Sequence, residues 1–263
     1  MRTIFSSVFL ALCIAGASGS VLAQKTWEKP LDKWSKEDAL KVVSESPWAQ
    51  TFQSRESVTL SGQGKVAREQ ADTVNNGGGN TAGSSSRYLG NPPIVVRLHS
   101  GMPIRQALVR GRQLAANYSK MDDAKKAEFD KQNEGFLACA ICQKYYVISV
   151  TQLPDSSTQG VEQGIFQRIT LKDIAGGVFL VNDKGEERPL VQLNPSKGVG
   201  DSAYLFFARK DANGKDLVTT GDKTVTLTFR TNFFASSNPY AGLFPRYFEF
   251  KVPKLMNGDK LDF

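Results

Sequence analysis

Cys139 and Cys142, separated by Ala140 and Ile141, are the sharpest chemical feature of this sequence. Two cysteines at this spacing can bond to each other where the backbone turns or is helical. On one straight strand their side chains would face opposite sides. A thiol–disulfide catalyst needs a reactive thiolate, favoured at a helix N-terminus. Here helical sequence precedes the pair and a strand beginning at Tyr145 follows, the reverse of the order in thioredoxin-like domains. The pair is therefore expected to be structural, either a disulfide or two buried thiols, and the apolar Ala140-Ile141 insert predicts burial. A redox role is the alternative.

Other chemistry-bearing residues are few. His99 is the one histidine. With the two cysteines it makes three of the four ligands a tetrahedral zinc takes, and no spacing marks an acidic fourth, so no metal is assigned. Ser100 adjoins His99, but neighbours on a strand point to opposite faces. Neither a G-x-S-x-G elbow nor an S-x-x-K sequence occurs. Asp173, Glu162 and Glu249 are carboxylates a hydrolase could use, yet nothing singles out a pair. Glu249, among Tyr247, Phe248 and Phe250, is expected to face outward. The segment Asp211-Ala212-Asn213-Gly214-Lys215-Asp216 carries part of a calcium-loop pattern without its spacer and terminal Glu. A hairpin turn accounts for it. Phe233, Phe234, Tyr240 and Phe244 lie in a stretch, 232–245, of loop-like composition. They form a candidate binding loop for a sugar, a lipid or a partner protein. No cofactor is expected.

The elements that must position these residues divide into two halves. Ser35 and Asp38 form a capping-box pattern that starts a helix over 36–45, with Leu40 and Val43 on one face, Ala39 and Val42 beside them, and Pro47 beyond its end. Trp27 and Trp34 are expected anchors ahead of it. Residues 55–61 and 92–100 have strand character. Helices are predicted over 103–120 and from Asp122 or Asp123 to Glu134, with Gly135 as a C-terminal stop. From Tyr145 onward, runs rich in branched and aromatic residues alternate with turn signals such as Asn182-Asp183-Lys184-Gly185. The expected fold is α+β: N-terminal helices packed on or beside a mainly antiparallel, β-sandwich-like C-terminal half. Residues 24–263 form one domain. Within it, the Gly/Asn/Ser-rich stretch 62–91 is expected to be a flexible loop. Its glycines lack the GK[ST] ending of a phosphate loop.

The chain opens with Arg2, an apolar run over 4–15, and Val21 and Ala23 at the −3 and −1 positions of a cleavage site. Residues 1–23 are expected to be a cleavable signal peptide, leaving Gln24 first. The run is too short for a transmembrane anchor, which wants ~20 apolar residues. Leu12 before Cys13 does not suit lipidation. The expected localisation is therefore periplasmic or secreted, where Cys139 and Cys142 can oxidise. The formal net charge of +7 is modest and spread along the chain. It permits loose contact with anionic polymers, whereas no Lys/Arg run interleaved with aromatics marks a nucleic-acid surface.

Lys29-Pro30, Trp34-Ser35, Asp38-Ala39 and Ser46-Pro47-Trp48-Ala49 resemble the N-terminal part of a group of uncharacterised exported bacterial proteins, common among Acidobacteria. In that group K-P-x-x-x-W-S-x-x-[DE]-A runs into S-P-W-A. Arg97, Ser100, Pro103, Arg105 and Ala107 are similar to a second segment of the group, with His99 as a departure. The resemblance covers about the first third of the chain after the leader. It implies an exported protein and carries over no catalytic residue. The function expected from the whole sequence is a non-enzymatic binding or envelope structural module, partnered by an envelope polymer or another exported protein. The alternative is an exported enzyme, either thiol–disulfide active or a hydrolase.

Overall fold

The computed structural model describes residues 25–52, 58–60, 66–67, 88–89, 93–154, 166–230, 245–257 and 259–263. The expected leader, Glu162, most of the stretch 62–91, and Phe233, Phe234, Tyr240 and Phe244 lie outside these residues.

Two short 3-10 turns, Thr26–Glu28 and Leu31–Lys33, lead into α1 (Lys36–Glu45). The predicted capping box is present: Asp38 N donates to Ser35 Oγ at 3.0 Å, and Ser35 N donates to Asp38 Oδ2 at 3.1 Å. Each satisfies an amide that the first helical turn leaves open. Trp34, Ala39 and Val42 are buried, but Leu40 is 54% exposed. Apolar spacing defines a stripe on α1, and the neighbour that meets it covers only the Ala39–Val42 side. Leu40 instead borders an open groove of about 320 Å³ with Val43 and Leu108.

After α1 come β1 (Ala49–Phe52), β2 (Val58–Leu60), β3 (Val66–Ala67), β4 (Tyr88–Leu89) and β5 (Ile94–Leu98). Then follow α2 (Met102–Ala115), α3 (Asp123–Ala138), β6 (Tyr145–Gln152), α4 (Leu171–Ile174), β7 (Val178–Asn182) and β8 (Glu187–Asn194). The chain closes with β9 (Ser202–Ala208), β10 (Thr224–Phe229), β11 (Tyr247–Lys251), β12 (Met256–Asn257) and β13 (Lys260–Leu261). Eight strands make one sheet in the order β1-β5-β6-β9-β8-β7-β10-β11, every neighbour antiparallel. β2 pairs with both β3 and β4 from within the stretch 62–91, and β12 pairs with β13. The fold is α+β around a large antiparallel sheet. That sheet curls strongly: the Gln50 side-chain amide on edge strand β1 donates to the Glu249 carbonyl on the opposite edge strand, β11.

Alternation decides which residues face the interior of the curl. Val96 and Leu98 of β5 stand opposite Val150 and Ile148 of β6, which face Ala203 and Leu205 of β9, and Ile94 stands opposite Gln152. Leu180, Val225, Leu227, Phe248 and Phe250 continue the same core. Ile104 and Ala107 of α2 join it. A bulge between Leu190 and Gln192 takes Val191 out of register and leaves it 41% exposed. The predicted turn after β7 forms as expected, with Gly185 at φ +80° and Asn182 Oδ1 accepting from Lys184 N and Glu186 N.

The outer face of β5 and β6 is buried like the inner one but chemically different, and on β9 it is only partly buried. Arg97 stands beside Ser149, and Thr151 beside Ser202. Arg97 Nη1 donates to Thr151 Oγ1 at 2.7 Å, and its Nε donates to the Val43 carbonyl of α1 at 2.6 Å. The guanidinium thus joins helix to sheet. Burial lowers its pKa to about 10, which leaves it charged at neutral pH.

Two helix ends differ from the sequence expectation. α2 stops at Ala115, because Asn117 takes a left-handed conformation (φ 53°) before a 3-10 turn, Tyr118–Lys120. α3 runs through Gly135 to Ala138, so Gly135 is not the stop. Cys139 takes the left-handed C-terminal position instead (φ 45°), its N–H donating to the Gly135 carbonyl at 3.0 Å. Glycine is favoured at such a position because it lacks a Cβ. Here a cysteine holds it, tied by its side chain to the next turn.

Candidate functional site

A disulfide joins Cys139 to Cys142, with their Cα atoms 5.3 Å apart. A single 3-10 turn, Ala140–Gln143, brings them together, and Cys142 N donates to the Cys139 carbonyl at 2.8 Å. Cys142 packs with Val147 and Phe206, while Cys139 is only partly buried. The expectation that Ala140 and Ile141 are buried is corrected: both are exposed, Ile141 at 42%. In a 3-10 turn the cysteines project toward the sheet and the residues between them project away.

His99 sits in the turn after β5, 5.4 Å from the Phe136 ring of α3 and 5.1 Å from the Tyr204 ring of β9, both edge to face. Its Nδ1 is buried and has no hydrogen-bond partner among the described residues. Burial lowers its pKa to about 4, and the positive charges of Arg105, Arg97 and Arg112 reinforce the shift. The imidazole is neutral at pH 7. Ser100 makes no use of it: Val147 N donates to Ser100 Oγ at 2.6 Å, which extends the β5–β6 pairing. The arginines hold α3. Arg105 donates to the Leu137 carbonyl, while Arg112 bonds Asn133 and stacks on Phe136 at 4.4 Å. These groups form a packed latch, and its polar bonds are internal.

The other sequence candidates also have structural duties. Asp173 caps α4 by accepting from Thr170 N and Oγ1, and these bonds hold its carboxyl below the usual range. Asp211 Oδ1 accepts from Asn213 N and Lys215 N, closing a hairpin turn with Gly214 at φ +80°. Glu249 faces outward and is exposed. Among the described residues, no group of three or more His, Cys, Asp or Glu could hold a metal ion. None of their helices is long and apolar enough to cross a membrane.

A cleft of about 670 Å³ opens where four distant segments meet. Its floor is built by packing. Trp48 is 1% exposed, and Trp27 meets it edge to face at 5.5 Å and 81°. Gly101 lies beneath, where a Cβ would fall 2.5 Å from Trp48 Cδ1. The far wall comes from the C-terminal segment. Trp48 Nε1 donates to the Asp262 carbonyl at 2.6 Å, and Met102 N at the start of α2 donates to Asp262 Oδ1 at 2.7 Å. Asp262 therefore caps α2 from 160 residues away in sequence. Burial raises its pKa, against the pull of that amide and of Arg105.

The near wall is fixed to α2 by Arg110, which donates to the carbonyls of Trp34 at 2.8 Å and Asp32 at 3.0 Å. Pro30, Pro47, Pro103 and Pro253 line the walls and stiffen them. Lys25, Lys29 and Lys254 stand around the rim, with the amides of Gln106 and Asn257. Lys25 pairs with Glu28 at 3.5 Å and lies 5.9 Å from the Trp27 ring, and Lys29 pairs with Asp38 at 3.8 Å. Among the described residues lining the cleft, none is Ser, Thr, Cys, His or Tyr, and the ionisable groups are Lys25, Glu28, Lys29, Lys254 and Asp262. This arrangement can hold a ligand by stacking and hydrogen bonding. Trp27 was legible in sequence only as an anchor, and neither Asp262 nor Lys254 carried any signal. Set against protein-family models, curated proteins and solved structures, the chain matches none.

Proposed function

We propose that the protein is an exported, non-enzymatic binding module whose contact surface is the Trp27–Trp48 cleft. The observation that carries this reading is a preformed cavity with stiff proline walls, an oriented indole and polar groups at its rim, the usual make-up of a binding site. The expected signal peptide and the resemblance of the N-terminal segment to exported bacterial proteins support export. The partner is an envelope polymer or another exported protein. The inward alternation along the strands and the Gln50–Glu249 contact favour a barrel-like closure of the sheet over a sandwich, with α1 on its outside. To test the binding role, immobilised protein is offered an envelope extract of its host, with Trp27→Ala as the control. Material retained by the parent and lost from the variant supports the cleft. Equal retention by both overturns it.

A second reading, thiol–disulfide exchange, draws on one observation: Cys139 is the more accessible sulfur and Cys142 the buried one. Its test is catalysis of insulin reduction by dithiothreitol. Acceleration that disappears in Cys139→Ser would favour it, and a rate no faster than dithiothreitol alone would dismiss it.

A further inference from the structure

We infer that the ligand of the Trp27–Trp48 cleft is an anionic glycan, a chain of sugar rings carrying carboxylate groups. This rests on the binding reading above and adds the chemical class.

Three features point to it. The first is the indole of Trp27. It is partly exposed in the cleft, and the edge of the buried Trp48 fixes its plane. A fixed aromatic face suits the flat C–H surface of a pyranose ring, which gains dispersion contact without needing a deep pocket. The second is the identity of the donors. The four wall prolines have no N–H, and the Met102 amide is already taken by Asp262. An extended peptide would look for main-chain donors there and find few. The donors there are side chains: the free ammonium of Lys254, the ion-paired ammonium groups of Lys25 and Lys29, and the amide of Gln106, which match hydroxyls and carboxylates.

The third feature is charge. Among the described residues, Lys254 is exposed and has no ion-pair partner, whereas Glu28 is paired with Lys25 and Asp262 is bonded through Oδ1 to the start of α2, its Oδ2 being buried without a hydrogen-bond partner. The Lys29 partner, Asp38, is already committed to the cap of α1. Lys25 and Lys29 are thus each held in an ion pair, and the unpaired positive charge that the rim offers beside Trp27 is that of Lys254. Alternating sugar rings and carboxylates would place a ring on the indole and a charge near Lys254.

The experiment is calorimetric titration of the protein with oligogalacturonate. Neutral dextran oligomers and poly-γ-glutamate serve as comparison probes. Oligogalacturonate is expected to bind, with dextran oligomers much weaker. Trp27→Ala and Lys254→Glu should each weaken binding roughly tenfold or more, while Lys254→Arg retains it. Unchanged melting curves would show that the variants are folded. Equal binding of dextran overturns the requirement for charge. Equal binding of poly-γ-glutamate, insensitive to Trp27→Ala, overturns the sugar in favour of charge alone. If oligogalacturonate fails to bind while Trp27→Ala still strips envelope material, the glycan class is wrong and the cleft stands. If Trp27→Ala alters neither, the cleft reading itself falls.

Discussion

The inner and outer faces of β5 and β6 are both buried and are built on opposite rules. Ile148 on the inner face is fully buried, and Ser149, its neighbour on the outer face, is 2% exposed. The inner face is a continuous apolar core, stabilised by area removed from water and tolerant of direction. The outer face mixes Val95, Val147 and Phe206 with Arg97, His99, Ser149, Thr151 and Ser202. Its stability depends on directional bonds, and each partner lost leaves a buried polar group uncompensated. Burial alone therefore does not separate the faces. The inner face makes the fold stable, and the outer face specifies which helix and turn dock where.

The largest contrast is expected at Phe207, fully buried on the inner face. Phe207→Ala should cost about 3–5 kcal/mol, read as a lower urea midpoint with an unchanged m-value. A cost near that of an outer-face change would erase the distinction.

The next effect is a pH dependence confined to the outer face. His99 has a folded-state pKa of about 4, below its ordinary value of 6.5. As pH falls, the unfolded chain takes up this proton first. The contribution of His99 is fully present above about 6.5, declines between about 6.5 and about 4, and levels off below that, for about 3 kcal/mol in all. His99→Leu should flatten this part of the stability–pH curve. An identical slope in the variant would show that His99 is not its source.

The disulfide tests whether the outer face is locally specified. Its loop is short, so the Cys139→Ala/Cys142→Ala double variant should lose only about 2 kcal/mol. Hydrogen exchange should rise at the end of α3 and in the turn after it, while the amides of β6 stay protected. Uniform loss of protection would mean that the staple supports the whole sheet. Arg97→Leu is expected to cost about 1–2 kcal/mol, because the Val43 carbonyl loses the guanidinium bond and the Thr151 hydroxyl keeps only Ser202. Exchange should accelerate in α1. A more stable variant would show that this buried charge costs more than it contributes.

Much of this was legible in the residues. Ser35 and Asp38 marked the start of α1, and the turn residues marked the hairpins, because both signals act over three or four residues. Gly135 misled for the same reason: a glycine is a local hint, and the cross-link of Cys139 to Cys142 outweighed it. Leu40 and Val43 share one face of α1 as their spacing indicates, but periodicity reports a stripe and not the neighbour that covers it, and Leu40 is left exposed. The cleft was the least legible part. Trp27, Trp48, Met102 and Asp262 are joined by contacts that span most of the chain, and no pattern of spacing carries such contacts.

The sequence by itself determined the α+β class and the antiparallel strands, and it placed two cysteines close enough to bond, since local propensity and alternation are written residue by residue. Only the tertiary structure decided that the outer face is a buried polar latch around His99. Only it brought Trp27, Trp48 and Asp262 to one cleft. Those outcomes depend on the curl of the sheet, which sets where distant segments meet and which polar groups lose water together.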